Sequence, residues 1–316
     1  MNNKTDFYYD FFDEIAMLLV EELGFNYLEA FFKTKDLILD NEIELNLSLE
    51  AQEKIKNLIA ALYEEMFSQE EIRLALQLLT AKAYKDVNKS LDFMTPDAVN
   101  YLFSRLINRK FVNQNLRILD INLGTSNLLQ TIANHYQGEK ELIGIEQNQE
   151  FVKLASSWAD LENNEIKIYF QDVMVPIFDN VDLEIGDLDH GEYQKELPKS
   201  HPLANHQITN YPYLAIASKI TNLKENGYFL YLINNDFFAS PELTIFRNYL
   251  QKQATLLGLV VLPETMFQSE QKRKSILIGK KAVLRAWDLL IFPITNLSKS
   301  QLPVLLEKLD QFIDKL

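Results

Sequence analysis

Cysteine is absent from this sequence, histidine occurs four times, and positive charge is scarce: 31 Lys+Arg stand against 45 Asp+Glu, a formal net charge of −14. Without cysteine there are no disulfides, no thiolate zinc sites and no cysteine nucleophile, which fits a reducing cytoplasm. Three of the histidines, His190, His201 and His206, fall close together, but no thiolate or regularly spaced carboxylate accompanies them. The expectation is therefore no metal site and a mobile loop instead. No apolar run approaches the ~18 residues that a membrane-spanning helix needs. The first ten residues, MNNKTDFYYD, carry neither the basic nor the apolar part of a signal peptide. A cytoplasmic protein with no membrane contact is expected.

The shortage of positive charge is uneven. Residues 1–88 hold 8 basic and 18 acidic side chains, whereas the remainder holds 23 and 27. Binding to nucleic acid relies on neutralising phosphates, so a basic face is its usual mark. The first 88 residues lack the charge for one. Any contact with DNA would fall to the rest of the chain, and for the isolated chain it is expected to be weak.

At 316 residues, 47% of them hydrophobic, the chain is long enough for two domains. Apolar positions over residues 6–40, including Phe7, Phe11, Ile15 and Leu18, recur at helical spacing. Ser48 precedes a second such run (Ile55, Leu58, Ile59, Leu62, Met66). Ser68 and Glu71 have the spacing of a capping box before a third (Ile72, Leu76, Leu79). A small all-helical domain over 1–88 follows, with residues 86–94 as linker and 89–316 as the second domain. Thr95–Pro96 reads as a helix start, with threonine as cap and proline at the first helical position. From Leu116 strands and helices alternate, the mark of a mainly parallel sheet. Strands are expected near Leu116–Ile121, Leu142–Glu146, Ile166–Phe170, Val181–Gly186, Gly227–Ile233, Leu256–Leu262 and Ser275–Gly279, seven in all. The polar basic segment SEQKRK suggests that the last two form a hairpin. An amphipathic helix over Ser298–Leu316 closes the chain.

The stretch RILDINLGTSNLL, Arg117–Leu129, organises the second domain. A buried strand ends in Asp120, turns through Gly124 and enters a helix. Such a turn presents backbone N–H groups to a ligand and lets it approach closely. A plain α/β turn would also carry one glycine. The next strand ends in Glu146, 22 residues beyond Gly124, about where an acid grips a ribose diol.

Six features now stand in order: FMTP at 93–96, DINLGTSNLL, GIEQN, QDV at 171–173, DLDHGEY after the fourth strand, and the tail LGLVVLPETMFQSEQKRKSILIGKK. Over roughly residues 90–282 they resemble the N6-adenine DNA methyltransferase family, in particular the modification subunit of type I restriction systems. The resemblance implies a seven-stranded Rossmann-like class I fold and S-adenosylmethionine as cofactor. By that likeness Thr95 sits over the methionine carboxylate, while Asp120, Gly124 and Ser126 shape the loop beneath the methionine. Glu146 accepts from the ribose hydroxyls and Asp172 from the adenine amine. A capping threonine and solvated carboxylates at strand ends are the plainer alternatives. A modification subunit works with a separate sequence-reading subunit, so a protein partner supplying target recognition is implied too.

The sequence also departs from the family. The loop there reads Asp-Pro-x-x-Gly-Thr-Gly; here Ile121 replaces the proline and Ser126 the second glycine. The catalytic Asn/Asp-Pro-Pro-Tyr/Phe becomes Asp187-Leu188-Asp189-His190. In the family an acid or amide and a backbone carbonyl accept the two amino protons of the flipped adenine while an aromatic ring stacks on it. Asp187 and the Leu188 carbonyl would be the acceptors and His190 the stacking ring. With both prolines gone, that carbonyl is expected to be poorly held, and Asp189, Glu184 and Glu192 add negative charge. A non-catalytic module that keeps the fold, and with it the cofactor or a protein partner, is the alternative. The dense basic cluster Lys272, Arg273, Lys274, Lys280 and Lys281 reads either as a phosphate contact or as a solvated hairpin.

Overall fold

The apolar run expected over residues 6–40 is broken where Gly24 adopts a left-handed φ of +69°, a conformation that costs glycine no Cβ clash. In the computed structural model, which describes residues 3–40, 46–267, 269–284, 287–295, 298 and 300–316, this gives two helices, α1 (Asn3–Leu23) and α2 (Tyr27–Asp40). Asn26 and Glu29 cap α2 reciprocally, side chain to backbone in both directions, at 2.9 and 3.0 Å. Then come α3 (Leu49–Tyr63) and α4 (Gln69–Asp86). Among the described residues the N-terminal unit thus has four helices where the periodicity indicated three. Ser48 caps α3, and the Ser68–Glu71 capping box opens α4.

The second part begins with α5 (Asp97–Lys110). Its cap is Pro96 rather than Thr95, and it makes no side-chain hydrogen bond. The elements that follow are β1 (Leu116–Asp120), α6 (Asn127–His135), β2 (Lys140–Glu146), α7 (Gln149–Glu162), β3 (Ile166–Phe170), β4 (Val181–Leu188), α8 (Tyr211–Lys219), β5 (Leu223–Asn234), α9 (Leu243–Leu250), β6 (Thr255–Val261), β7 (Lys274–Lys280), β8 (Leu290–Pro293) and α10 (Leu302–Ile313). The strands form one sheet in the order β3-β2-β1-β4-β5-β7-β6-β8. Pairing is parallel except where β7 lies antiparallel between β5 and β6. The basic segment does join β6 and β7 as antiparallel neighbours.

An α/β fold with a helical N-terminal unit is therefore present, with eight strands among the described residues in place of the expected seven. The additional one, β8, is four residues long, pairs with β6 at the sheet edge and ends in Pro293. Proline is tolerated at an edge because no neighbour there needs its N–H. Of the expected closing helix, α10 is observed; residue 299 lies outside the described residues. Leu309, Phe312 and Ile313 of α10 are buried, and Asp310 and Asp314 pair with Arg105 and Arg109 of α5.

Helices cover both faces of the sheet, and apolar side chains fill each layer. The core of the helical unit runs on into α7: Leu154, Trp158 and Leu161 pack with residues of α1–α4. The Trp158 indole donates to Thr80 Oγ1 at 3.3 Å. At the C-terminal ends of β1, β2 and β4 the helices diverge and leave a cleft, the usual place for a ligand in an open α/β sheet.

Candidate functional site

The cleft is about 290 Å³ and is walled by Thr95, Asp120, Gly124, Asn148, Phe151 and Asp187 among others. Its floor is the β1–α6 turn. Gly124 has φ +54°, and a Cβ there would meet only the Phe93 carbonyl oxygen, at 3.7 Å, so the turn is open to a ligand. Ile121 stands where the family has proline, and its N–H donates to the Ile185 carbonyl at 3.0 Å. Proline has no N–H to give there, so the turn is tied to β4 by a bond the family sequence lacks.

Two residues past Gly124, Ser126 holds φ +67°. It takes the left-handed conformation that glycine adopts freely and serine only with strain of about 1 kcal/mol. Its Oγ and that of Thr125 are buried without a hydrogen-bond partner. Ser126 shapes the turn and is not among the residues lining the cleft.

Glu146 ends β2 against this turn. Its Oε2 accepts from the Gly124 N–H at 2.9 Å and its Oε1 from the Asn148 N–H at 2.7 Å. Each carboxylate oxygen has a second lone pair, so two hydroxyls can still be accepted. Burial raises the Glu146 pKa, and the N–H groups of Asn148 and Gly124 oppose the rise. Asp120 is almost fully buried, and burial pushes its carboxyl up to about 7; the Asn122 N–H works against that, and Asp187 and Glu146 reinforce it.

Asp172 is turned elsewhere. It accepts from the Met174 N–H at 3.0 Å, from the Lys195 ammonium at 2.9 Å and from the Tyr193 hydroxyl at 3.1 Å. Lys195 also reaches Gln147 Oε1 at 3.0 Å. The segment after β4 is thereby fastened over the ends of β2 and β3, and Asp172 does not line the cleft.

At the other end, β4 runs two residues further than the sequence indicated, so that Asp187 and Leu188 lie inside the strand, opposite Leu232 and Ile233 of β5. Leu188 is fully buried in the core. The first half of the motif, Asp187 and Leu188, is held by the sheet, contrary to the expectation that loss of proline leaves the chain loose. Without proline, the ladder simply continues.

What distinguishes Asp187 is its partners. Its Oδ2 accepts from the Thr95 hydroxyl at 2.9 Å. Its Oδ1 accepts from the Lys274 ammonium at 2.5 Å, and the same ammonium reaches Asp189 Oδ1 at 2.6 Å. The Asp187 carbonyl accepts from Asn122 Nδ2 at 2.7 Å. Burial works against the Lys274 charge, but Asp187 and Asp189 outweigh it and hold its pKa above the ordinary lysine value. His190 is exposed and lines a neighbouring hollow with Asn210, Asn234 and Asp236.

The remaining cations of the basic cluster are engaged as well. Lys272 pairs with Asp92, Arg273 with Glu264, and Lys281 donates to the Leu223 carbonyl. Lys280 lies over the Tyr228 ring. Glu184 does not add surface charge: it is fully buried and accepts from the Tyr231 hydroxyl at 2.6 Å. His201 binds the Leu214 carbonyl through Nε2. Among the described residues no cluster of three His, Asp or Glu could hold a metal ion, and no helix is long and apolar enough to cross a membrane.

A mostly parallel sheet with a glycine turn after β1, an acid at the end of β2 and a cleft above them defines the class I methyltransferase fold. Similar solved structures agree. A crystal structure from Listeria monocytogenes, provisionally assigned to the class I S-adenosylmethionine-dependent methyltransferases, superposes with a TM-score of 0.86 at 27% identity, covering 99% of this chain and 100% of that one. The methyltransferase subunit of a type I restriction-modification system from Streptococcus thermophilus shares the fold at a TM-score of 0.64 and 14% identity, over 96% of this chain and 74% of that one. Residues 7–83 match the model of the YtxK N-terminal helical domain. Over 273 residues the chain is 30% identical to YtxK of Bacillus subtilis strain 168, itself uncharacterised, spanning 82% of this chain and 80% of the relative. The chain belongs to the YtxK family.

Of the residues singled out from sequence, Thr95, Asp120, Gly124, Glu146 and Asp187 meet at the cleft, whereas Ser126, Asp172, Leu188 and His190 do not line it. Sequence reasoning missed Asn122, Asn127, Asn148 and Lys274. Asn148, two residues past Glu146, is the cap of α7, and an Asn before a helical run is a readable signal. Lys274 carried no signal beyond its place in a basic cluster.

Proposed function

We propose that this protein is an S-adenosylmethionine-binding module descended from adenine-N6 DNA methyltransferases, in which the methyl-acceptor position is closed by the protein's own lysine. The observation that carries the reading is the ion pair of Lys274 with Asp187, completed by the Thr95 hydroxyl.

The cofactor end fits the ligand. The turn at Gly124 has space above it, Glu146 keeps lone pairs for the ribose hydroxyls, and Thr125 Oγ1 is buried without a partner. The acids lining the cleft suit the sulfonium and ammonium charges of S-adenosylmethionine. When bound, that cofactor supplies an electrophilic methyl group. The residues that would hold it are Asp120, Gly124, Glu146 and the loop amides. Asp172, held by Met174, Tyr193 and Lys195 outside the cleft, is left out of that set.

The acceptor end does not fit an adenine amine. Its N–H protons need an acceptor whose charge is not already neutralised. The Asp187 carboxylate is paired with the Lys274 ammonium on one oxygen and takes the Thr95 hydroxyl on the other. The engaged basic residues around Lys272–Lys281 leave little charge for a phosphate backbone, so DNA binding by the isolated chain is weak, and recognition of a target falls to a protein partner.

Titration calorimetry with S-adenosylhomocysteine is expected to show saturable binding that Glu146→Ala weakens about a hundredfold, as the loss of hydrogen bonds to a charged group implies. Radiolabelled methyl transfer to adenine-containing DNA is expected to be absent. No heat from folded protein at millimolar ligand would remove the cofactor from the proposal. Methylation by the unmodified chain, abolished by Asp187→Ala, would make it an enzyme.

A further inference from the structure

A buried guanidinium links the helical unit to the cleft. Arg73, on the second turn of α4, is fully buried. Its Nε and one terminal nitrogen fork onto Glu70 at 2.9 and 2.7 Å. The other terminal nitrogen donates to Asn127 Oδ1 at 2.5 Å and to Asp97 Oδ1 at 3.1 Å. Asn127 is the first residue of α6, directly after the strained Ser126. Its Nδ2 donates to the Thr95 carbonyl at 3.0 Å, and the Thr95 hydroxyl holds Asp187. A continuous set of hydrogen bonds thus runs from α4, through the start of α6, to the end of β4. The far end of α4 contributes independently: Tyr84 packs on Phe93, which packs on Phe151, and both phenylalanines line the cleft.

We infer that Arg73 is a positioning residue for the cleft: it fixes the glycine turn through Asn127 and makes the helical unit part of the ligand site. A left-handed serine with an unpartnered hydroxyl is a conformation that persists only where neighbours impose it. Arg73 is the neighbour that anchors the residue directly after it. Guanidinium is suited to this because its planar fork satisfies Glu70 on one edge while the remaining nitrogen serves Asp97 and Asn127. A lysine ammonium, a single point of charge, cannot span the three. The part of this inference that concerns ligand affinity rests on the proposed cofactor reading; the part that concerns the turn does not.

Two measurements separate them. Amide hydrogen exchange of the ligand-free protein reads the turn. In Arg73→Lys, amides of residues 124–130 are expected to exchange at least tenfold faster, while those of β1 and β4 keep their rates. Calorimetry with S-adenosylhomocysteine reads the site, with affinity expected to fall about tenfold in Arg73→Lys and in Asn127→Ala. The double variant should be no worse than either single one, because both break the same link. Asn127→Ala leaves Arg73 paired with Glu70 and Asp97, so it decides the matter if changes at Arg73 impair folding. Wild-type exchange in the turn, a rise spread evenly over the chain, or effects that add in the double variant would overturn the inference. If the unmodified protein binds no S-adenosylhomocysteine, the functional reading fails, and hydrogen exchange alone still decides the role of Arg73.

Discussion

At the end of the cleft proposed for the cofactor Glu146 accepts backbone N–H groups, and the turn it faces is open; at the proposed acceptor end Asp187 meets a hydroxyl on one oxygen and an ammonium on the other. Both carboxylates end parallel strands of the same sheet, and both are largely buried. They differ in what the fold brings to them. Backbone donors orient a carboxylate and leave its charge for a ligand, whereas a lysine neutralises the charge. Retention of an acidic residue at a motif position is therefore no measure of its availability.

The largest effect should come from removing the lysine. Lys274→Met leaves Asp187 and Asp189 facing each other with no cation between them, and breaking such a pair commonly costs about 3 kcal/mol. Replacing Asp187 by leucine in the same protein removes the buried charge as well and should return stability to within about 1 kcal/mol of the wild type. Urea denaturation of the single and double variants checks this. A single variant as stable as the wild type would mean that the acceptor carboxylate is free, and the contrast between the two ends would disappear.

Much of the contrast lay beyond the reach of sequence. The strand–turn–helix at Gly124, the acid at Glu146 and the cap at Ser68 are local patterns, in which a few neighbouring residues carry both the signal and the structure. Lys274 is 87 residues from Asp187, and nothing in a one-dimensional pattern tells which of five clustered cations points inward. Lys195 reaching Asp172 is hidden for the same reason. So is Arg73, which looks like one more surface charge on a helix and is instead fully buried. The misplaced end of β4 has a different origin. Asp187 reads as polar and therefore as loop, yet Leu188 continues the buried face of the strand.

The second effect concerns pH and separates the two ends by sign. Asp120 has its pKa raised to about 7 by burial, against an ordinary aspartate in the unfolded chain. A raised carboxyl pKa favours the protonated native state, so Asp120 weakens the fold as it ionises, and the cost is full above about pH 7 and relieved progressively as pH falls toward the ordinary aspartate value of about 4. A cationic ligand has the opposite preference, because it needs the ionised form. Affinity for S-adenosylmethionine should therefore rise about tenfold from pH 6 to pH 8, while the ligand-free protein melts at a higher temperature at pH 6 than at pH 8. Calorimetry across that range decides. Affinity independent of pH would mean that Asp120 does not face the ligand.

The smallest effect tests how much strain the cofactor end tolerates. Ser126 carries φ +67° and a buried hydroxyl without a partner. Ser126→Gly would remove the Cβ penalty, about 1 kcal/mol, together with a comparable desolvation cost of the orphaned hydroxyl. Against these stands the greater freedom that glycine gives the unfolded chain, roughly 0.5–1 kcal/mol. The balance is a gain of about 1 kcal/mol in stability, read as a shift of the urea midpoint at unchanged slope, with affinity for S-adenosylhomocysteine up a few-fold as the turn relaxes. A loss of stability would mean that the serine hydroxyl is satisfied by an ordered water and that the turn is built around it. The loop would then be a specific adaptation of this chain, and the apparent strain at Ser126 would be no relic of a lost glycine.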